Sequence, residues 1–108
     1  METALRDTAL VTLWDIARGD AQVVRGFIDH YVTMATSAVA GVERALAAED
    51  LAGGERAAHS LKGSSGMMGA HLVQRSCELI EQACAGGDVA TARAHLAALQ
   101  AAHEATLA

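Results

Sequence analysis

Apolar residues recur at helical spacing along most of this 108-residue chain, and no proline interrupts them. Between Asp20 and Glu49 they form one stripe with a period of 3.6 residues, which predicts an amphipathic segment of either one long helix or two helices joined near Thr36. The absence of proline and of evenly spaced strand patterns disfavours a β-rich fold. The stripe consists of Val24, Phe27, Ile28, Tyr31, Ala35, Ala38, Val42, Ala45 and Leu46.

Three aspartates mark the places where one predicted helix gives way to the next. Asp20, Asp50 and Asp88 close the stretches "ARGD", "AAED" and "AGGD", and aspartate is a favoured N-cap residue. Asp50 is the weaker boundary because Gly53 and Gly54 follow it. Short connections make consecutive helices antiparallel, so we predict an all-α, up-and-down bundle in a single domain over residues 1–108. The predicted helices cover about 3–18, 20–49, 55–68, 70–85 and 88–106.

Composition predicts an aliphatic core without disulfides. Aromatic residues make up only 3% of the chain, so Ala, Leu, Val, Ile and Met must fill the interior. Cys77 and Cys84 lie seven residues apart in a helical pattern, about 10.5 Å along the axis, which is too far for a disulfide. We expect both to be reduced core thiols. In the first and last helices the predicted core positions are Leu10, Leu13, Trp14, Ala17, Val89, Ala92, Leu96, Leu99 and His103.

Charge and hydropathy exclude several classes of partner. The net charge is -5 and only eight Lys and Arg are scattered along the chain, so the sequence offers no nucleic-acid surface. We find no apolar run of about 18 residues and no basic start followed by an apolar segment. The sequence therefore predicts neither a membrane span nor a signal peptide, and it favours the cytosol.

Residues 58–70, "AHSLKGSSGMMGA", place several glycines inside a helical pattern, where each costs about 0.5–1 kcal/mol relative to alanine. At about 100° per residue, Gly63, Gly66 and Ala70 fall close to His59, while Arg56 and Lys62 flank it. His59 is therefore predicted to lie on the exposed face of a helix, among neighbours with almost no side chain. The opposite, core-facing side holds Ala58, Leu61, Ser65, Met68 and Leu72.

An exposed imidazole with bare neighbours suits nucleophilic attack on phosphorus. Neutral histidine is a competent nucleophile near pH 7, and the cations Arg56 and Lys62 would favour the unprotonated ring and then attract phosphoryl oxygens. A P-loop is excluded because Lys62 precedes the glycines and no strand leads into them. This face also carries no predicted carboxylate cluster for magnesium. The other histidines, His30, His71, His95 and His103, are expected to be structural or surface residues.

The pattern resembles the histidine-containing phosphotransfer (HPt) domains of two-component phosphorelays, whose motif is His-x-Leu-Lys-Gly-x-Ser-x-x-x-Gly-Ala. The next predicted helix also resembles the family at Val73, Cys77, Ile80 and Glu81, whereas Ser76 stands where the family usually carries an apolar residue. Seven positions match the motif: His59, Leu61, Lys62, Gly63, Ser65, Gly69 and Ala70.

The resemblance implies a four-helix bundle with an accessory N-terminal helix or helices and a phosphoacceptor helix at about 55–68. It implies that His59 accepts a phosphoryl group from an aspartyl phosphate on a receiver domain and passes it to another receiver's aspartate. Lys62 would stabilise the phosphate. The receiver would supply the magnesium, so the protein is expected to be a monomeric phosphocarrier with no cofactor of its own, rather than an enzyme.

The expected partners are receiver domains of response regulators or a hybrid sensor histidine kinase. Two other functions remain open at this point. One is an HPt-like module that binds and regulates a receiver or kinase without carrying phosphate, although the intact His59 and Lys62 argue against it. The other is a metal-binding bundle, which the lack of an E-x-x-H pattern disfavours. The residues expected to dock the partner are Arg56, Gly63, Gly66, Met67 and Ala70.

Overall fold

Four helices account for most of the part of the chain that the computed structural model describes, residues 14–107. Each packs against two others, in the order α1, α2, α3, α4 and back to α1. With no strand among residues 14–107, the predicted all-α four-helix bundle is confirmed, and the segment after Asp20 is a single helix. Of the accessory helix expected at about 3–18, the part up to position 13, with the predicted core residues Leu10 and Leu13, lies outside the described residues, and residues 14–16 are helical. The four helices are α1 (Ala21–Ala47), α2 (Leu51–Met67), α3 (His71–Ala85) and α4 (Val89–Leu107).

The three connecting aspartates cap helices as predicted. The Asp20 carboxylate accepts from the backbone N–H of Gln22 at 2.9 Å, and Asp88 accepts from that of Thr91 at 3.0 Å. Asp50 accepts from the N–H of Gly53 at 2.9 Å, so α2 begins at Leu51. The predicted start near residue 55 was wrong because the glycines after Asp50 lie inside the first turns of the helix.

Gly54 lets α2 approach its two neighbours closely. A Cβ atom at this position would stand 3.3 Å from both Cδ2 of Leu46 on α1 and Sγ of Cys84 on α3. That spacing is tighter than an ordinary van der Waals contact, so the absence of a side chain removes a steric limit on packing. Gly54 therefore contributes to packing within the bundle. The close contact of α2 with α1 and α3 offsets the low helix propensity of this glycine.

Helix α2 ends in a left-handed turn at Gly69, whose φ is 74°. The N–H groups of Gly69 and Ala70 donate to the carbonyls of Gly66 and Ser65 at 3.2 and 2.9 Å, which is a Schellman motif. The turn changes the direction of the chain. A helical wheel that continues from α2 to residue 72 therefore assigns the wrong faces to the residues after Gly69. Two predictions were consequently wrong: Ala70 is fully buried rather than available for docking, and Leu72 is 62% exposed rather than in the core.

The core is aliphatic, as predicted, and both cysteines are free and buried. Phe27 and Trp14 were expected inside but are 40% and 49% exposed. For Phe27 the reason is length: α1 has 27 residues and α2 has 17, so the first turns of α1 extend past the end of α2. The largest fully buried side chains are Leu46, Leu61, Ile80, Leu99, Val42, Val73, Cys77 and Ser65.

Two polar contacts cross the core. The hydroxyls of Tyr31 and Ser65 lie 2.8 Å apart and join α1 to α2. The Thr36 hydroxyl donates to the carbonyl of Val32 at 2.8 Å, so it accepts from Nε2–H of His103 on α4 at 2.9 Å. Nδ1 of His103 is buried and has no hydrogen-bond partner among residues 14–107. His103 is thus a structural histidine, whereas His30 and His71 are exposed and His95 is half-buried.

We predict that His103 makes the fold sensitive to mild acid. Burial lowers the pKa of His103 below its ordinary value of about 6.5, so between the two pKa values the unfolded chain binds a proton that the folded chain does not. The free energy of unfolding should therefore be constant above about pH 6.5 and fall as the pH drops below it.

Urea unfolding followed by circular dichroism at pH values from about 7.5 to 5.5 measures this dependence. The control is His103→Gln, which keeps an amide donor for Thr36 but does not titrate, and its stability should vary less over the same range. Equal pH dependence in the two proteins would contradict the prediction.

Candidate functional site

His59 lies on the outer face of α2, with its side chain 71% exposed. Its Nδ1 atom is 2.7 Å from Oε2 of Glu81, which α3 contributes from the neighbouring position in the bundle. One ring nitrogen is therefore held by the protein, while the rest of the imidazole faces outward. The structure places His59 where the sequence predicted it.

Glu81 joins His59 to Lys62. The Lys62 ammonium donates to Oε1 of Glu81 at 2.9 Å, so the two oxygens of one carboxylate contact the two predicted site residues. Glu81 and Lys62 are 20% and 28% exposed, well below His59. The hydrogen bond from Lys62 is the main reason that the pKa of the Glu81 carboxyl is lowered, and the bond from His59 acts in the same direction.

The Glu81 carboxylate also determines which ring nitrogen of His59 carries the proton. An ionised carboxylate only accepts hydrogen bonds, so Nδ1 of His59 must carry the proton. In the neutral imidazole this leaves the lone pair on Nε2, the nitrogen that Glu81 does not contact. The sequence pattern around His59 indicated nearby cations, and the contact between a carboxylate and the ring was not predicted from it.

The register of the α2–α3 hairpin explains this contact and shows how it could have been found. His59 lies ten residues before Gly69, and Glu81 lies twelve residues after it. Residues at similar distances from a short connection face each other in two antiparallel helices. An acidic residue at this distance from Gly69 in the next helix could therefore have predicted the contact between Glu81 and His59.

The two glycines near His59 have different surroundings. Apart from its chain neighbours and the backbone of its own helix, a Cβ atom at Gly63 would have no atom of the described residues within 4 Å, so this position is open, as predicted. At Gly66 a Cβ would stand 2.7 Å from Nε2 of Gln74. The prediction of open space at Gly66 was wrong because the Gln74 side chain from α3 lies over it.

The outer face differs on the two sides of His59. Towards the start of α2, Ala52, Glu55 and Arg56 line a shallow depression beside the ring. Towards its end, Met67 is 82% exposed and borders an apolar groove of about 400 Å³. The groove is lined by Ile16, Phe27, His30, Tyr31, Met34, Ser64, Met67 and Met68.

Comparison with known proteins agrees with this arrangement. The family model for the Hpt domain matches residues 26–108, and the chain therefore belongs to the Hpt domain family. Its members are phosphotransfer intermediates, which carry a phosphoryl group and interact with receiver domains of response regulators or with kinases.

The fold is similar to the crystal structure of histidine-containing phosphotransfer protein B from Pseudomonas aeruginosa PAO1, with a TM-score of 0.89 and 23% sequence identity. The similarity covers 99% of this chain and 91% of that one. Comparison with curated protein sequences gives no significant match.

Two other observations bear on the possible functions. Within the described range, no helix is both long and apolar enough to cross a membrane. Residues 14–107 also bring together no group of three or more His, Cys, Asp and Glu side chains that could hold a metal ion.

We predict that Lys62 is the main cause of the lowered pKa of the Glu81 carboxyl. Lys62→Met should raise the pKa of the Glu81 carboxyl because it removes the hydrogen bond that lowers this pKa most. Carboxyl carbon NMR over a pH titration measures the change directly. His59→Ala is the matched control and should raise the pKa of Glu81 by less; a larger effect from His59→Ala would reverse the assignment.

Proposed function

We propose that this protein is a phosphorelay intermediate in which Nε2 of His59 accepts a phosphoryl group from a receiver aspartyl phosphate and delivers it to the aspartate of another receiver. The observation that carries the proposal is the exposed imidazole of His59, whose Nδ1 is held by an ionised Glu81 and whose Nε2 is open. Family membership supports phosphotransfer in general, and the exposed ring provides the atom for it.

The transfer needs only one protein atom to form a bond. The Nε2 lone pair of His59 attacks phosphorus, the bond from phosphorus to the aspartyl oxygen breaks, and its electron pair leaves with the receiver's carboxylate. Nδ1 keeps its proton, and the positive charge that develops on the ring lies 2.7 Å from the Glu81 carboxylate. A carboxylate in this position stabilises the positive charge of the product. Delivery to the second receiver is the reverse of this step.

Lys62 would stabilise the phosphorylated state. One of its three N–H donors is used by Glu81, so the others can bond phosphoryl oxygens on the nearby ring. Because Glu81 holds both Lys62 and His59, the ammonium is positioned before the phosphoryl group arrives. The magnesium ion used in such transfers would belong to the receiver.

The receiver would dock on the face around His59. Arg56, Gly63 and Met67 are all exposed on α2, the first two within about one turn of His59 and Met67 eight residues after it, so we assign them to the contact. Gly63 would allow close approach, since in-line transfer requires the phosphorus within about 3–3.5 Å of Nε2. Gly66 contributes less because Gln74 covers it.

We predict that His59→Gln folds normally but accepts no phosphate. The side chain is exposed, so its replacement leaves the core unchanged. Incubation with a receiver charged by acetyl phosphate should label the wild-type protein, and the label should be stable in base and labile in acid, as a phosphoramidate is. Label that persists in the variant would disprove the assignment. A protein that binds the receiver but never carries label would be a docking module.

We predict that Gly63→Gln separates stability from transfer. The new side chain meets open space within the described chain, so replacing glycine in a helix should stabilise the fold by up to about 1 kcal/mol. The same side chain would hold the receiver away from His59 and slow transfer by about a hundredfold. Thermal unfolding and transfer rates measured on one preparation test both effects.

Gly26→Gln is the matched control, because this glycine also lies in a helix, in the first turns of α1, and a Cβ there would meet no side chain of the described residues within 4 Å. It should raise the melting temperature and leave transfer unchanged. If Gly63→Gln transfers at the wild-type rate, clearance at this position is not needed.

A further inference from the structure

Three of the chain's four methionines line the apolar groove beside His59. Met67 is 82% exposed and Met34 is 36% exposed, whereas Met68 is buried. The fourth, Met1, lies outside the described residues. Leucine could line this groove equally well in a protein with an aliphatic core. The methionines differ from leucine in carrying thioether sulfurs, which can be oxidised.

The sulfur atoms of the cysteines are far less available to oxidants. Cys77 and Cys84 are both buried on α3. Burial raises the pKa of the Cys77 thiol to about 12 and also raises that of Cys84, so the reactive thiolate is scarce at neutral pH. A thioether has no proton to lose, and its reaction with peroxide depends mainly on exposure. Among the described residues, Met67 therefore offers the most accessible sulfur.

We propose that Met67 is an oxidation site at which conversion to the sulfoxide blocks receiver docking. In this step the Met67 sulfur lone pair attacks one oxygen of hydrogen peroxide, the O–O bond breaks, and water leaves. Sulfur loses two electrons and the peroxide oxygens gain them. The product carries a polar S=O group that a methionine sulfoxide reductase can reverse. This inference rests on the proposed function, because it regulates docking to the same face.

The position of Met67 separates docking from chemistry. It lies eight residues after His59 on α2, about 12 Å along the helix axis. The bridge between His59, Glu81 and Lys62 does not involve it. Oxidation would thus add a polar group to a surface made of Ile16, Phe27 and Met34, which a docked partner must desolvate. The nucleophile itself should remain as reactive as before.

The experiment treats the full-length protein with hydrogen peroxide and locates each added oxygen by peptide mass spectrometry. Among residues 14–107 we expect oxidation first at Met67, then at Met34, with Met68 and both cysteines spared. Two transfer rates are then measured: one from a receiver charged with acetyl phosphate, and one from phosphoramidate, a small donor that needs no docking. The receiver-dependent rate should fall about tenfold, while the phosphoramidate rate stays constant.

Two variants assign the effect to one residue. In Met67→Leu the ratio of receiver-dependent rates after and before peroxide should stay near one, whatever the starting rate. In Met34→Leu, the matched control, that ratio should fall as in the wild type. Reductase treatment of the oxidised wild-type protein should restore the lost rate.

The possible failures are distinguishable. If the untreated protein takes no phosphate from a charged receiver, the proposed function is overturned and the inference falls with it. If the untreated protein transfers normally and Met67 sulfoxide forms without slowing transfer, only the inference is overturned. The inference would also be overturned if peroxide lowered the receiver-dependent rate of Met67→Leu as much as that of the wild type. The same holds if peroxide lowered the phosphoramidate rate of the wild type in parallel with its receiver-dependent rate.

Discussion

The left-handed turn at Gly69 sets the register of α2 against α3, and the functional arrangement depends on that register. Its two hydrogen bonds end α2 at Met67 and bury Ala70, so α3 starts with a fixed rotation. That rotation brings Glu81 within 2.7 Å of His59 and 2.9 Å of Lys62. Only a residue that tolerates positive φ fits the turn without strain, so a single glycine connects backbone geometry to the chemistry of the site.

The site combines an exposed imidazole with a fixed support. In the proposed function His59 must be accessible to a protein partner, and exposed side chains are ordinarily mobile. The bond to Glu81 orients the ring, and the bond between Glu81 and Lys62 orients the carboxylate in turn. Buried side chains support this surface network: Leu61 precedes Lys62 and Ile80 precedes Glu81, and both lie in the core. The outer face can therefore remain bare while its polar groups stay in place.

The glycines of α2 show how one residue type serves different purposes within one helix. Gly54 permits close packing of α2 against Leu46 and Cys84, Gly66 accommodates Gln74, and Gly63 opens to solvent. The sequence pattern treats them alike, since periodicity reports only the direction in which a position points. The distinction depends on side chains from α1 and α3, so a wheel drawn for α2 alone assigned Gly66 incorrectly.

Periodicity, the capping aspartates and the His59 motif determined the helices, the aliphatic core and the exposed positions of His59 and Gly63, because these depend on spacing within one segment. Other features were decided only in the tertiary structure. These are the role of Glu81 in joining His59 to Lys62, the burial of Ala70, and the exposure of Leu72 and Phe27. Each depends on where a neighbouring helix begins, ends or turns. A periodic pattern describes one helix at a time, whereas contacts between helices are fixed by turns and relative lengths.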